Sequence, residues 1–151
     1  MATETSEPRK PSSRYLQTAA RILMGLIFFV FGLNGFFHFL PQPEMAEAPR
    51  AFFGALMKTG YMIPLLFTTQ ALVGALLLLN RFVPLALALI APVIVNIILF
   101  HVFVARSGFP IPIVVLLLEL YLAWSYRGAF RPMLAPRAKP GPTVEPMRPS
   151  A

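Results

Sequence analysis

The chain has no cysteine, and only 13% of its 151 residues are charged. Without cysteine there are no disulfides, no thiolate metal sites and no cysteine-based redox relay. The four-helix membrane enzymes that couple quinones to thiol oxidation are excluded on the same ground, because their chemistry needs a Cys pair. The scarcity of charge is equally informative. A soluble domain carries about 25% charged residues, and here the few charges fall almost wholly in the tails and short connections.

Apolar residues take up the balance, at 57% of the chain. That composition implies a single domain with two or more helices buried in lipid. The net charge of +7 raises nucleic acid as a partner, but the basic residues do not gather into a patch. Arg9, Lys10, Arg14 and Arg21 lie at the start of the first apolar run, and Arg127, Arg131, Arg137, Lys139 and Arg148 follow the last. Basic flanks of apolar runs report membrane topology and attraction to anionic headgroups rather than nucleic-acid binding.

Four apolar runs predict an all-α polytopic membrane protein, a four-transmembrane-helix bundle, with spans over about 15–40, 61–79, 82–105 and 109–126. Each is close to the ~20 residues that cross a bilayer. Residues 1–14 read as a disordered polar tail, and residues 127–151 as a disordered, basic, Pro-rich one. The first run is expected to be retained rather than cleaved as a signal peptide. It is too long for one, and it ends in Phe36, Phe37, Phe39 and Leu40 instead of small residues. Between the first two spans, Pro49 can open a short amphipathic helix with Phe52, Phe53 and Leu56 on one side and Arg50 and Lys58 in water. With four spans, ten basic residues share the side of both tails and three lie opposite. The positive-inside rule then puts the N- and C-termini in the cytoplasm of a bacterial inner membrane.

Within the spans the polar exceptions are Asn34, His38, Gln70, Asn96, His101 and Glu119. Polar and ionisable groups at membrane depth cost a few kcal/mol, face the bundle interior and mark sites. The topology puts His38 and His101 near the outer ends of two parallel helices. Asn34 lies one turn deeper on the face of His38, and Asn96 about 7 Å deeper than His101. Gln70 and Glu119 fall near the middle of the two descending helices. These six residues are the candidate ligand site. In one reading they bind a quinone or similar redox-active lipid, with His and Asn donating hydrogen bonds to its carbonyl oxygens. In a second, His38 and His101 are the axial ligands of a haem. A third makes the set a proton or solute pathway, and a fourth makes it interhelical glue worth about 0.6 kcal/mol per residue.

Gly25, Gly32 and Gly35 form a stripe of small residues with Arg21 and Phe28, and Gly74 repeats the idea in the second span. Such stripes let helices approach closely. Pro92 interrupts the third span beside the polar cluster and is expected to bend it.

The run Arg21-x-x-x-Gly25-x-x-Phe28-x-x-x-Gly32 resembles the first helix of the DoxX family of small bacterial membrane proteins. So do Gly74-Ala-Leu-Leu-Leu-Leu-Asn-Arg-Phe-Val-Pro84 and Ala91-Pro-Val-Ile-Val-Asn96-Ile-Ile-Leu-Phe-His101. The resemblance covers residues 15–126 and implies a four-helix membrane bundle linked to respiratory or detoxifying redox chemistry. Family members include a subunit of thiosulfate:quinone oxidoreductase and proteins tied to quinone resistance. This chain has Gln70 where relatives often carry an acid, which leaves Glu119 as its only buried acid.

The leading expectation is therefore a redox-associated accessory subunit that binds a quinone-like ligand in the outer half of the bundle. It would act with a partner subunit or as a homo-oligomer, not as a stand-alone enzyme. The alternatives are a non-enzymatic protein that assembles or stabilises a partner complex and, third, a small-solute transporter.

Overall fold

The computed structural model describes residues 11–41, 44–134 and 136, and every regular element among them is helical. The remaining residues of the two expected tails lie outside the described residues.

Helix α1 spans Pro11–Phe37. Proline is tolerated in a first turn, where its missing N–H would have no helical partner. The helix accordingly starts at Pro11, and residues 11–14 belong to it rather than to a disordered tail. It stops at Phe37, not Leu40, because Asn34 closes it twice. The Asn34 carbonyl accepts the His38 N–H at 2.9 Å, and its side-chain oxygen accepts the Leu40 N–H at 2.7 Å. His38 itself takes the left-handed conformation of a helix terminus, with φ +50°.

Helix α2, Glu47–Lys58, leads through a sharp elbow into α3, Met62–Leu78. The two axes meet at 96°. Thr59 makes the corner: its hydroxyl donates to the Leu56 carbonyl at 2.6 Å and accepts the Met62 N–H at 3.1 Å. Gly60 supplies the positive φ of +76° that the turn requires. Helix α4, Val83–Phe100, continues through Pro92 and ends in a wide π-helical turn, His101–Ala105. That turn closes with the Arg106 N–H on the His101 carbonyl at 2.8 Å. Helix α5 covers Pro110–Ser125, and the short α6, Arg127–Phe130, follows it. Residues 127–130 are thus helical where the sequence predicts a disordered tail.

Helices α1 and α3 make the most extensive pairing, and it is antiparallel. Gly25 lies against Leu78, Gly74 against Phe29, Gly32 against Ala71 and Gly35 against Phe67. A Cβ on Gly32 would stand 2.8 Å from the Ala71 Cα, and one on Gly74 2.6 Å from the Phe29 Cα. Here the seam has backbone against backbone, and only glycine fits. Arg21 locks one end of the seam. Its buried guanidinium donates to the carbonyls of Leu77 and, at 3.4 Å, Leu78. These carbonyls lie at the C-terminus of α3, where a cation is favoured by the helix dipole, and the Leu77 carbonyl also accepts the Asn80 N–H at 3.2 Å.

Helices α4 and α5 complete the body, α4 packing on α3 and α5 on both α4 and α1. Met24, Phe28, Val73, Leu77, Leu87, Ile90, Ile94 and Leu122 form the centre of the core. The outer faces are nearly as apolar: Leu23, Leu26, Leu65, Leu72, Leu89, Leu99, Leu117 and Leu120 are all exposed. An apolar surface on every long helix belongs in lipid rather than water. Two stretches, Ser13–Phe37 and Val83–Ala105, are long and apolar enough to cross a membrane, and the bent pair α2 and α3 makes a third if counted as one span. The count falls short of four because α3 and α5 have only 17 and 16 helical residues, below the ~20 of a full crossing.

Candidate functional site

A cavity of about 450 Å³ opens at the end of the body where α2 crosses the other helices. Ile27, Phe28 and Phe31 of α1 form one wall, and Leu66, Phe67 and Gln70 of α3 the next. Val93, Asn96, Ile97 and Phe100 of α4 and Ile111, Pro112 and Val115 of α5 close the other sides. The roof is aromatic. Phe52 and Phe53 of α2 pack on Phe100 with ring centroids 5.2 and 5.3 Å away, and Phe100 packs edge-on against His101 at 5.3 Å. Edge-to-face aromatic contacts of this kind hold rings at defined angles. The amphipathic face of α2 is therefore turned onto the cavity, with Arg50 and Lys58 exposed.

Three polar side chains line this space: Gln70, Asn96 and His101. Gln70 is 7% exposed. Neither its amide nor that of Asn96 has a hydrogen-bond partner among the described residues, so both are available to a ligand. His101 is half engaged, its Nδ1 lying 2.8 Å from the Ile97 carbonyl oxygen. Gly108, at φ +72°, passes beside the imidazole; a Cβ there would stand 3.7 Å from both Nε2 and Cδ2. A volume of this size, mostly apolar with a few convergent polar groups, has the character of a small-molecule site.

The other three candidates lie elsewhere. Asn34 is 8% exposed, and its side-chain oxygen is bound to the Leu40 N–H, which makes it the terminator of α1. His38 is exposed at the same terminus and is not among the cavity-lining residues. The two histidines, weighed in the sequence as a haem pair, therefore do not meet on this cavity. Glu119 is 8% exposed and lines a separate hollow between α4 and α5, with Arg127 and Arg131 in its wall. Its Oε2 is buried with no hydrogen-bond partner among the described residues. Arg127 packs over the Trp124 ring at 5.0 Å and donates to the Trp124 carbonyl at 3.1 Å.

Most of the cavity wall is apolar and so is not singled out by residue type. Phe31, Phe67 and Phe100 carry no chemical signal of their own, and their part in the site depends on which helix faces meet. The amphipathic pattern of α2 points to Phe52 and Phe53, whereas Gly108 carries no such signal. Compared with family models, with curated proteins and with solved structures, the chain matches none.

Proposed function

We propose that this chain is a four-span, DoxX-like protein of the bacterial inner membrane that binds a quinone-type ring as a redox-associated accessory subunit. Both tails face the cytoplasm and the cavity lies in the outer half. The observation that carries the ligand reading is the cavity itself: aromatic and aliphatic walls, with two unpartnered amides and one imidazole as its polar groups. A flat, mostly apolar ring with oxygen at its edge matches that chemistry. Such a ring supplies paired electron and proton exchange when bound. The protein's own residues bind it, orient its oxygens and exclude water.

The ligand set is narrower than the six residues marked in the sequence. Gln70, Asn96 and His101 hold the ring's oxygens, and Phe52, Phe53 and Phe100 cover it. Asn34, His38 and Glu119 are left out of the ligand's shell. The four-span topology is supported by the antiparallel α1–α3 seam, by the apolar outer faces of α3 and α5, and by the ten-to-three split of basic residues. The elbow at Thr59 then sits at the outer surface, with α2 lying along the membrane.

The test is an organic extract of the detergent-purified protein, assayed for quinones by chromatography. The expected result is a quinone retained in near-stoichiometric amount by the native chain and lost from Gln70→Leu. An extract with no quinone above the level of a control membrane protein would overturn the reading.

A further inference from the structure

One nitrogen of His101 is already committed. Nδ1 lies 2.8 Å from the Ile97 carbonyl oxygen, and a carbonyl can only accept, so that nitrogen carries the hydrogen. In the neutral ring Nε2 is then a bare lone pair. Nothing among the described residues donates to it. The ring's neighbours are Phe100, Phe109 and Gly108. Gly108 lies along the Nε2–Cδ2 edge with no side chain to cover it. The cavity therefore presents one fixed acceptor, Nε2, alongside two amides that both donate and accept.

A fixed acceptor discriminates between ligands that differ only in hydrogen. Resting on the reading that the cavity takes a quinone-type ring, we propose that it selects the reduced, hydroxyl-bearing form. A phenolic O–H donates to His101 Nε2, and the amide of Gln70 or Asn96 serves a second oxygen. A quinone carbonyl in the same place would set its lone pairs against that of Nε2. Both would then be left without a hydrogen between apolar walls, a mismatch worth about tenfold in affinity.

The test uses three ligands that share one skeleton: 2-decyl-1,4-hydroquinone, its benzoquinone and its O,O-dimethyl ether. Each is bound to the detergent-purified full chain under anaerobic conditions and measured by equilibrium dialysis. The hydroquinone is expected to bind at least about tenfold more tightly than either of the others, which can only accept. Equal or tighter binding of the quinone would overturn the selectivity and leave the cavity reading standing. Failure of all three to bind would overturn the cavity reading, and this inference with it. In H101Q, whose amide both donates and accepts, the preference is expected to fall to within about twofold. An undiminished tenfold preference in H101Q would remove His101 as its source.

Discussion

Adding a single methyl group at different glycines should produce sharply different results, because the space around each differs. Gly54 in α2 has nothing within 4 Å of where a Cβ would be. Gly54→Ala should therefore be neutral or stabilising by about 0.5–1 kcal/mol, the gain of removing a helical glycine. At Gly25 the nearest atoms belong to the Leu78 side chain, at 3.0 and 3.1 Å. That side chain can turn aside, and the one backbone neighbour, the Gly74 carbonyl oxygen at 3.2 Å, need yield only a few tenths of an ångström, so Gly25→Ala should cost less than Gly32→Ala, about 1 kcal/mol. At Gly32 the obstacle is backbone. The new Cβ would lie 2.8 Å from the Ala71 Cα and closer still to the Ala71 main-chain nitrogen, where ordinary contact begins at 3.4 Å, so the seam must open by more than about 0.6 Å. A gap of about 0.5–1 Å forfeits a quarter to a half of the dispersion energy of the atoms along it. Overpacking costs about 1–3 kcal/mol. Less the helix gain, Gly32→Ala should lose about 1–2 kcal/mol, and Gly74→Ala the same. Unfolding of the four variants in mixed micelles, titrated with SDS and followed by circular dichroism, gives the ranking. A Gly32→Ala protein as stable as Gly54→Ala would refute the close backbone seam. So would its rescue by Ala71→Gly, because the clash is with the main chain.

The remaining predictions concern the polar residues and the topology. Asn34→Ala should destabilise the chain by about 1 kcal/mol in the same titration, through loss of the bond to the Leu40 N–H, while Asn34→Asp keeps the acceptor and most of the stability. Replacing Glu119 by Leu should stabilise the chain by about 1–3 kcal/mol, because its Oε2 is buried without a partner; a marked loss of stability would show that the carboxylate is held by something. Arg21→Met should be destabilising and Arg21→Lys less so, since the buried cation sits on the carbonyls at the negative end of α3. The absence of cysteine makes single-cysteine labelling clean. Thr59→Cys should react with an impermeant maleimide from outside the cell, and Ala129→Cys only after the membrane is opened.

Much of the helical plan was legible from the sequence because it follows from local features. Apolar runs broken by Pro41, by Asn80-Arg81 and by Ser107-Gly108 mark out the long helices. The alternation of Phe52, Phe53 and Leu56 with Arg50 and Lys58 marks α2. Helix ends were less legible, because they depend on single side chains. Nothing in the run up to Leu40 says that Asn34 will turn back on the chain and stop the helix at Phe37. The site was legible in half. Gln70, Asn96 and His101 are exceptional in apolar runs and do line the cavity. Asn34, His38 and Glu119 are just as exceptional by residue type, and they lie outside it. Polarity in an apolar run indicates that a residue needs a partner. Whether that partner is a ligand, a backbone N–H or a headgroup is decided by rotation about the helix axis and by the position of the helix end. Depth alone put His38 level with His101. The left-handed turn at His38 carries it off the end of α1, while α2 packs against the π-helical turn that holds His101.

The proposed function puts a quinone-type ring beneath α2 against Gln70, Asn96 and His101. The most direct measurement is photolabelling of the purified full chain with an azido-quinone, followed by mass spectrometry of the peptides. Labels are expected in Phe52–Leu56 and in the stretch from Asn96 to Ile111, competed away by unlabelled ligand. Labels at His38 or Glu119, or labels spread without competition over the lipid-facing helix surfaces, would contradict it.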